Sequence, residues 1–238
     1  MTQPPELSVI IPAYREADNL RLLLPRLVRV LGSMGVRHEI LVIDADPSKD
    51  ETPDVCREWP VMRIPRAGGE NYGDAVRTGI AKAEGLYILF MDADGSHAPE
   101  FIPTMWGVAR TCDVVVASRY VSGGDTENPW SLIVMSRILN IVYSLMLGLD
   151  CRDVSNSFKL YRANLIKPLS LRCRHFDIVE ELMVMARIHA GRIHIAEVPF
   201  LFKKRMFGET KRNVPLFVLS FYVTLLKLLY LRIWGGRR

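Results

Sequence analysis

The feature that most constrains this chain is a rhythm in its first 117 residues: short apolar runs alternate with stretches of helical period. Leu7–Ile11, closed by Pro12, is followed by Glu39–Ile43, Val61–Ile64, Tyr87–Met91 and Val114–Ala117. Their length and composition predict buried strands. Between the first two, Leu20, Leu23, Leu24, Leu27, Val28 and Leu31 recur at helical spacing. Asp18 and Asn19 can cap that helix, and Gly32 and Gly35 end it. A short helix near Pro53–Glu58 and a small-residue helix at Tyr72–Ala83 fill two further gaps. Strands alternating with helices predict an α/β domain of βαβ units around a mostly parallel sheet. A chain of 238 residues suits one such domain with a modest appendage. Hydrophobic residues at 49% and charged residues at 24% exclude a disordered chain. Cys56, Cys112, Cys151 and Cys173 are far apart without a CxxC pair, which excludes a disulfide framework or zinc ribbon and predicts reduced thiols. Met1 to Glu6 is short and polar, so no signal peptide is expected there.

Beyond Gly123-Gly124 the character changes. Ser131–Gly148 is apolar around most of a helix, with Arg137, Asn140 and Ser144 in one narrow polar stripe. Such a helix must be deeply buried or touch lipid. Ile178–His189 is a second helical stretch. Val214–Trp234 is a third, with thirteen uncharged residues before Lys227 and Arg232 interrupt it. About 20 residues cross a bilayer, but those two cations favour a helix lying in the interface over a simple span. From Pro199 onward there are nine Lys/Arg and one acid, Glu209, against a net charge of +5 for the whole chain. A basic, apolar end on a mildly acidic body predicts an anionic membrane surface as partner rather than nucleic acid. A dimer interface or core helix is the alternative use of the same apolar stretches. The expected division is a catalytic domain over residues 1–212, with 131–149 as a candidate interfacial helix, and a membrane-association helix over 213–238.

The most informative short string is Met91-Asp92-Ala93-Asp94, two carboxylates delivered by a buried strand. Ligands of open α/β sheets bind beyond the carboxyl ends of the strands. Residues i and i+2 of an extended segment face the same side, so Asp92 and Asp94 can share one divalent cation that bridges to a diphosphate. Arg66-Ala67-Gly68-Gly69-Glu70-Asn71-Tyr72-Gly73 opens a helix. It fits either an anion site at a helix start or close helix–sheet packing.

The strings Ser8–Glu16, Met91–His97 and Ala117–Gly124 resemble family 2 glycosyltransferases, more narrowly the dolichol-phosphate mannose synthases and their polyprenyl-phosphate relatives. Asp153–Tyr161 and Glu197-Val198-Pro199 with Arg205, Gly208, Thr210 and Lys211 are similar to two later motifs of that group, so the resemblance spans roughly residues 7 to 212. It implies a GT-A fold and metal-dependent, inverting transfer of a sugar, mannose from GDP-mannose being favoured, to a polyprenyl phosphate at the cytoplasmic face of a membrane. It implies Mg²⁺ or Mn²⁺ at Asp92, Asp94 and Ser96. Donor contacts are implied at Pro12, Tyr14, Glu16, Val42, Asp44, Asp92, Ala93 and Asp94. Arg119, Arg205 and Lys211 are implied as phosphate-facing cations, with Asp94, Arg119 and Arg205 catalytic. Here the usual acidic pair after the second strand is split by Ala45, as Asp44-Ala45-Asp46, which leaves the base, guanine or uracil, open. A lipid phosphate is already an anion and needs no general base. A hydroxyl acceptor would need one, with Asp177, Glu180 and Glu181 as candidates. A non-catalytic nucleotide-sugar-binding subunit is the third reading.

Overall fold

The computed structural model describes residues 3–203 and 214–234, with side chains in the last helix described at 222–233. The chain runs β1 (Leu7–Pro12), α1 (Ala17–Ser33), β2 (His38–Asp44), α2 (Thr52–Arg57), β3 (Met62–Pro65), α3 (Tyr72–Lys82), β4 (Tyr87–Phe90), α4 (Ile102–Ala109) and β5 (Val114–Ser118). It continues with β6 (Asp125–Thr126), α5 (Trp130–Leu147), β7 (Lys159–Arg162), α6 (Ala163–Ile166), α7 (Ile178–Ala190), β8 (Ile195–Pro199), β9 (Leu201–Phe202) and α8 (Val214–Trp234).

Seven strands form one sheet in the order β3-β2-β1-β4-β7-β5-β8. All its pairings are parallel except the two made by β7, which lies antiparallel between β4 and β5. Two helical layers cover the sheet, and the period of two along the strands assigns the faces. Val9 and Ile11 face a cluster with the leucines of α1, whereas Ile10 faces the other cluster with Ala75 and Val76 of α3. β1, β2 and β3 step one way from the centre and β4 starts the other way. The crevice between the carboxyl ends of β1 and β4 is therefore the topological switch point where such sheets bind ligands.

Helix α1 begins at Ala17, with Glu16 in the N-cap position rather than Asp18 or Asn19. The Ala17 N–H instead donates to Asp50 Oδ2 at 2.8 Å, so a distant turn caps the helix. The glycine-rich turn before α3 closes on itself. Asp74 Oδ2 accepts the Asn71 N–H at 3.1 Å, and a Cβ on Gly69 would stand 2.9 Å from that same oxygen. Close packing against the Asp74 carboxylate accounts for the glycines of this turn. At Gly73 a Cβ would lie 2.3 Å from the Cys173 carbonyl, so only glycine lets the start of α3 seat against the segment before α7.

Helices α5 and α8 invert the usual pattern of a surface helix. Two members of the polar stripe of α5 are bonded inward: Asn140 Oδ1 accepts the Ser155 N–H at 2.9 Å, and Ser144 Oγ donates to the Leu149 carbonyl at 2.5 Å, while Arg137 stays exposed against the Tyr120 ring. Its apolar Trp130, Ile138, Ile141 and Leu145 are exposed. In α8, Leu225 and Leu228 join the core, while Tyr222, Val223, Leu226, Tyr230 and Ile233 are exposed. The two cations that interrupt α8 turn to the body. Lys227 Nζ lies 3.1 Å from Cys173 Sγ, and Arg232 donates to the Met146 carbonyl at the end of α5. Both helices thus bond most of their polar groups to the body and present largely apolar faces outward, with Arg137 and Arg232 still exposed.

Candidate active site

One cavity of ≈ 410 Å³ occupies the switch point. Its walls come from the end of β1 (Pro12, Ala13, Tyr14, Glu16), the end of β4 (Asp92, Ala93, Asp94, Ser96), Arg119, and α5 with α7.

The two carboxylates are held by different means. Asp92 is braced by tertiary contacts: Tyr72 Oη donates to its Oδ1 at 3.1 Å and Ser157 Oγ to its Oδ2 at 2.7 Å. Asp94 is braced locally, its Oδ1 accepting from the Ser96 N–H at 3.0 Å and Oγ at 2.6 Å. The Asp92 N–H donates to His97 Nδ1 at 3.0 Å, which places the ring proton on Nε2. His97 is fully buried and stacked on Phe158 at 4.6 Å. Burial pushes its pKa down, so it is a neutral strut behind the acidic turn rather than an acid or base.

The donor set at Asp92 and Asp94 is all oxygen. That is the hard chemistry Mg²⁺ or Mn²⁺ takes when one or two carboxylates hold the ion and substrate phosphates complete its shell. Among the described residues no group of three or more His, Cys, Asp or Glu could hold an ion by protein alone. The residues therefore fit a cation that arrives with a phosphorylated substrate.

Arg119 is placed differently from the open phosphate-facing cation expected of it. Its Nε and Nη2 donate to Asp153 Oδ2 at 2.8 Å and Oδ1 at 2.6 Å, and Nη2 also reaches Ser155 Oγ at 3.1 Å. The Asp153 carboxylate is fully buried, and its charge matches the guanidinium. Arg119 still borders the cavity, but as half of a closed ion pair. Two further residues expected to contact the donor lie outside the cavity wall. Val42 is fully buried in the core on the α1 side, because its position in β2 points it away from the switch point. Asp44 is also fully buried, with Oδ1 accepting the Ala45 N–H at 2.8 Å and Oδ2 accepting Arg63 Nε at 2.9 Å. Neither lines the cavity. Arg205 and Lys211 lie outside the described residues.

Sequence reasoning missed Arg66. Its Nη1 donates to the carbonyls of Glu70 at 2.8 Å and Asn71 at 3.2 Å, and its Nη2 to those of Ala13 and Ile43, joining three strand-end turns. Carbonyls engage both terminal nitrogens without neutralising the charge, and among the described residues its buried Nε has no hydrogen-bond partner. Its guanidinium lies 5.8 Å from the centre of the Tyr14 ring. It was read only as the start of a glycine-rich turn, because its partners lie up to 53 positions away in sequence. Of the three acids considered as bases, Asp177 accepts the His175 N–H at 3.0 Å. Both oxygens of Glu181 are taken by backbone N–H groups of Arg172 and Cys173 at 2.7–3.0 Å. Only Glu180 lines the cavity.

The model of glycosyl transferase family 2 matches residues 8–169. Dolichol-phosphate mannosyltransferase of Pyrococcus furiosus is 33% identical over 87% of this chain, which spans only 59% of that relative's length. Undecaprenyl-phosphate mannosyltransferase of Micrococcus luteus is 31% identical over 86% of each chain. Polyprenol monophosphomannose synthase of Mycolicibacterium smegmatis is 30% identical over 86% of this chain and 80% of its own. Among solved structures, mannosyl-3-phosphoglycerate synthase from Rubrobacter xylanophilus superposes with a TM-score of 0.75 at 16% identity, over 97% of this chain and 75% of that one. Glucosyl-3-phosphoglycerate synthase from Mycobacterium tuberculosis, solved with Mn²⁺, UDP and glucosyl-3-phosphoglycerate, gives 0.67 at 16% identity, over 96% and 80%. These two likenesses support the GT-A fold.

Proposed function

The chain belongs to glycosyl transferase family 2, and from that premise we propose that it transfers mannose from GDP-mannose to a polyprenyl phosphate, with inversion, at a membrane surface. One observation carries the reading: a carboxylate pair at the switch point shares its cavity with Leu132, Met135 and Leu139 of α5, a helix whose opposite face is exposed and apolar. A charged donor and a lipid acceptor can meet there. The names of the three relatives support the same sugar and acceptor class.

In this reading the donor lies between Tyr14 and the acidic turn. The Tyr14 ring offers its face to the base, and the Arg66 charge beside it favours the anionic diphosphate. Asp92 and Asp94 hold Mg²⁺ or Mn²⁺, which when bound neutralises charge on the leaving diphosphate. Tyr72 and Ser157 fix the Asp92 carboxylate before substrate arrives, so little reorganisation remains for the reaction. Arg205 and Lys211 meet phosphate oxygens. The acceptor phosphate enters from the α5 side already anionic, and positioning rather than proton abstraction limits attack on the anomeric carbon. The exposed faces of α5 and α8 rest in the lipid surface, where the acceptor's chain is dissolved.

The test is transfer of labelled sugar from a panel of GDP- and UDP-sugars into undecaprenyl phosphate, read as label in the organic phase. Label is expected from GDP-mannose, lost with EDTA and reduced at least ~100-fold in Asp94→Ala, the scale of removing a group that holds developing charge. Transfer that survives both treatments would remove the metal assignment. Transfer to a soluble hydroxyl acceptor alone would remove the lipid one.

A further inference from the structure

Glu180 sits in the first turn of α7 and lines the cavity, yet its residue is only 7% exposed and its Oε2 has no hydrogen-bond partner. A buried polar atom without a partner is costly, and native structures seldom keep one without a use. Glu181 spends both oxygens on loop backbone, and Asp177 spends Oδ1 on the His175 N–H and Oδ2 on Thr224 Oγ1, so Glu180 is the acid at this helix start with an oxygen to spare. The cavity wall beside it is Tyr143 and the apolar side chains of α5, the side from which a lipid acceptor enters.

We propose that Glu180, in its protonated form, donates a hydrogen bond from Oε2 to a phosphate oxygen of the acceptor. This rests on the lipid-phosphate reading above and adds a residue that senses the acceptor's charge. The physical reason is electrostatic: a phosphate next to a buried carboxylate would be repelled, whereas a buried carboxylic acid supplies the donor that an anion needs.

The surroundings keep the proton on. Burial pushes the Glu180 pKa up to about 7, against the opposing pull of Lys159 on β7. Lys159 is fully buried, donates to the Val154 carbonyl at 2.6 Å, and is itself pushed down by burial to about 8. The other groups facing Glu180 are Tyr161 on β7, Tyr143 on α5, Asp177 at its own helix start, and Arg119, whose charge Asp153 already matches. A bound phosphate brings further negative charge and raises the Glu180 pKa again, so acceptor binding takes up a proton once the pH exceeds about 7.

The experiment is calorimetric titration of the full chain in detergent with farnesyl phosphate, in buffers of different ionisation enthalpy, from about pH 6.5 to about pH 8.5. The wild type is expected to weaken roughly tenfold per pH unit at the upper end and to take up about one proton on binding near pH 8. Glu180→Gln keeps a donor without a titrating proton; its affinity should match the wild type near the acid end, and its pH dependence and proton uptake should shrink to what Lys159 and the phosphate itself contribute. Glu180→Met, uncharged and without a donor, should bind several-fold more weakly than Glu180→Gln at every pH. Thermal melting of each variant checks that the fold is kept. In the wild type, melting temperature should fall as pH rises through about 7, because the folded pKa lies above that of an unfolded carboxyl; in Glu180→Gln that fall should be absent. Proton uptake and pH dependence as large in Glu180→Gln as in the wild type would overturn this proposal alone. Absence of saturable binding to the wild type at any pH would overturn both it and the lipid-phosphate reading.

Discussion

At the scale of single residues, charge around the switch point is either closed off in a buried pair or left facing the cavity, and the two cases predict different phenotypes. The Arg119–Asp153 pair is closed, with the arginine side chain 10% exposed and the aspartate 0%. Removing one partner of a buried pair leaves the other charge uncompensated, a loss of about 3–5 kcal/mol. Asp153→Asn should therefore lower the melting temperature by roughly 10 °C, given about 2–4 °C per kcal/mol for a domain of this size. Melting of the variant within a degree or two of wild type would show that Arg119 finds water instead. Asp92 and Asp94 border the cavity, so their substitution should strike turnover and leave melting nearly unchanged. Part of this was legible in the sequence and part was not. Asp92 and Asp94 announce themselves by spacing on a strand end. The partner of Arg119 is 34 positions away, and no local pattern joins them.

At the scale of elements, α5 and α8 are the informative pair. A helix apolar on nearly every side can be read from sequence, but its orientation cannot. The structure turns Asn140 and Ser144 inward onto Ser155 and Leu149, and Lys227 and Arg232 inward onto Cys173 and Met146. The interrupting cations of α8 thus oppose an apolar outer face less than their charge suggests, since Lys227 is half-buried and the exposed Arg232 is tied to the Met146 carbonyl. Replacing Ile138, Ile141 and Leu145 of the outer face of α5 together by Ser should cut vesicle binding at least ~10-fold, because each exposed aliphatic side chain is worth about 1.5–3 kcal/mol when fully buried in an apolar phase. Melting in solution should change little, since these positions contribute little to the core. Unchanged flotation with vesicles would mean that this face meets protein instead. The polar positions predict the reverse: Asn140→Leu should destabilise the fold, because it strips Ser155 of a partner.

At the scale of the whole molecule, charge and apolar surface lie toward the same end of the chain. From Pro199 onward nine Lys/Arg stand against Glu209 alone, following a sheet whose cavity is built on carboxylates. Attraction of basic segments to anionic lipid is worth about 1 kcal/mol per residue near the surface and is screened within a Debye length of about 10 Å at 0.1 M salt. Binding to vesicles rich in phosphatidylglycerol should therefore fall several-fold when salt is raised from about 0.1 M to about 0.5 M. Binding to neutral vesicles should be weaker and nearly independent of salt. Equal affinity for both surfaces would assign the attachment to the apolar faces alone.

The sequence by itself determined β1 to β5, the long helices and the place of the acidic pair, because each is written in a local period or in the two-residue spacing of an extended segment. It also determined that α5 and α8 must hide from water. What it could not determine is set by contacts between distant positions. β7 enters the sheet against its neighbours' direction, and a four-residue run carries no signal of which strands will flank it. That insertion carries Ser157, just before the strand, to Asp92 and buries Lys159 beneath Glu180. A carboxyl group at a helix start is an ordinary surface residue until the fold closes over it. Only the tertiary structure makes Glu180 a buried acid, because desolvation is a property of what surrounds a group and not of its place in the chain.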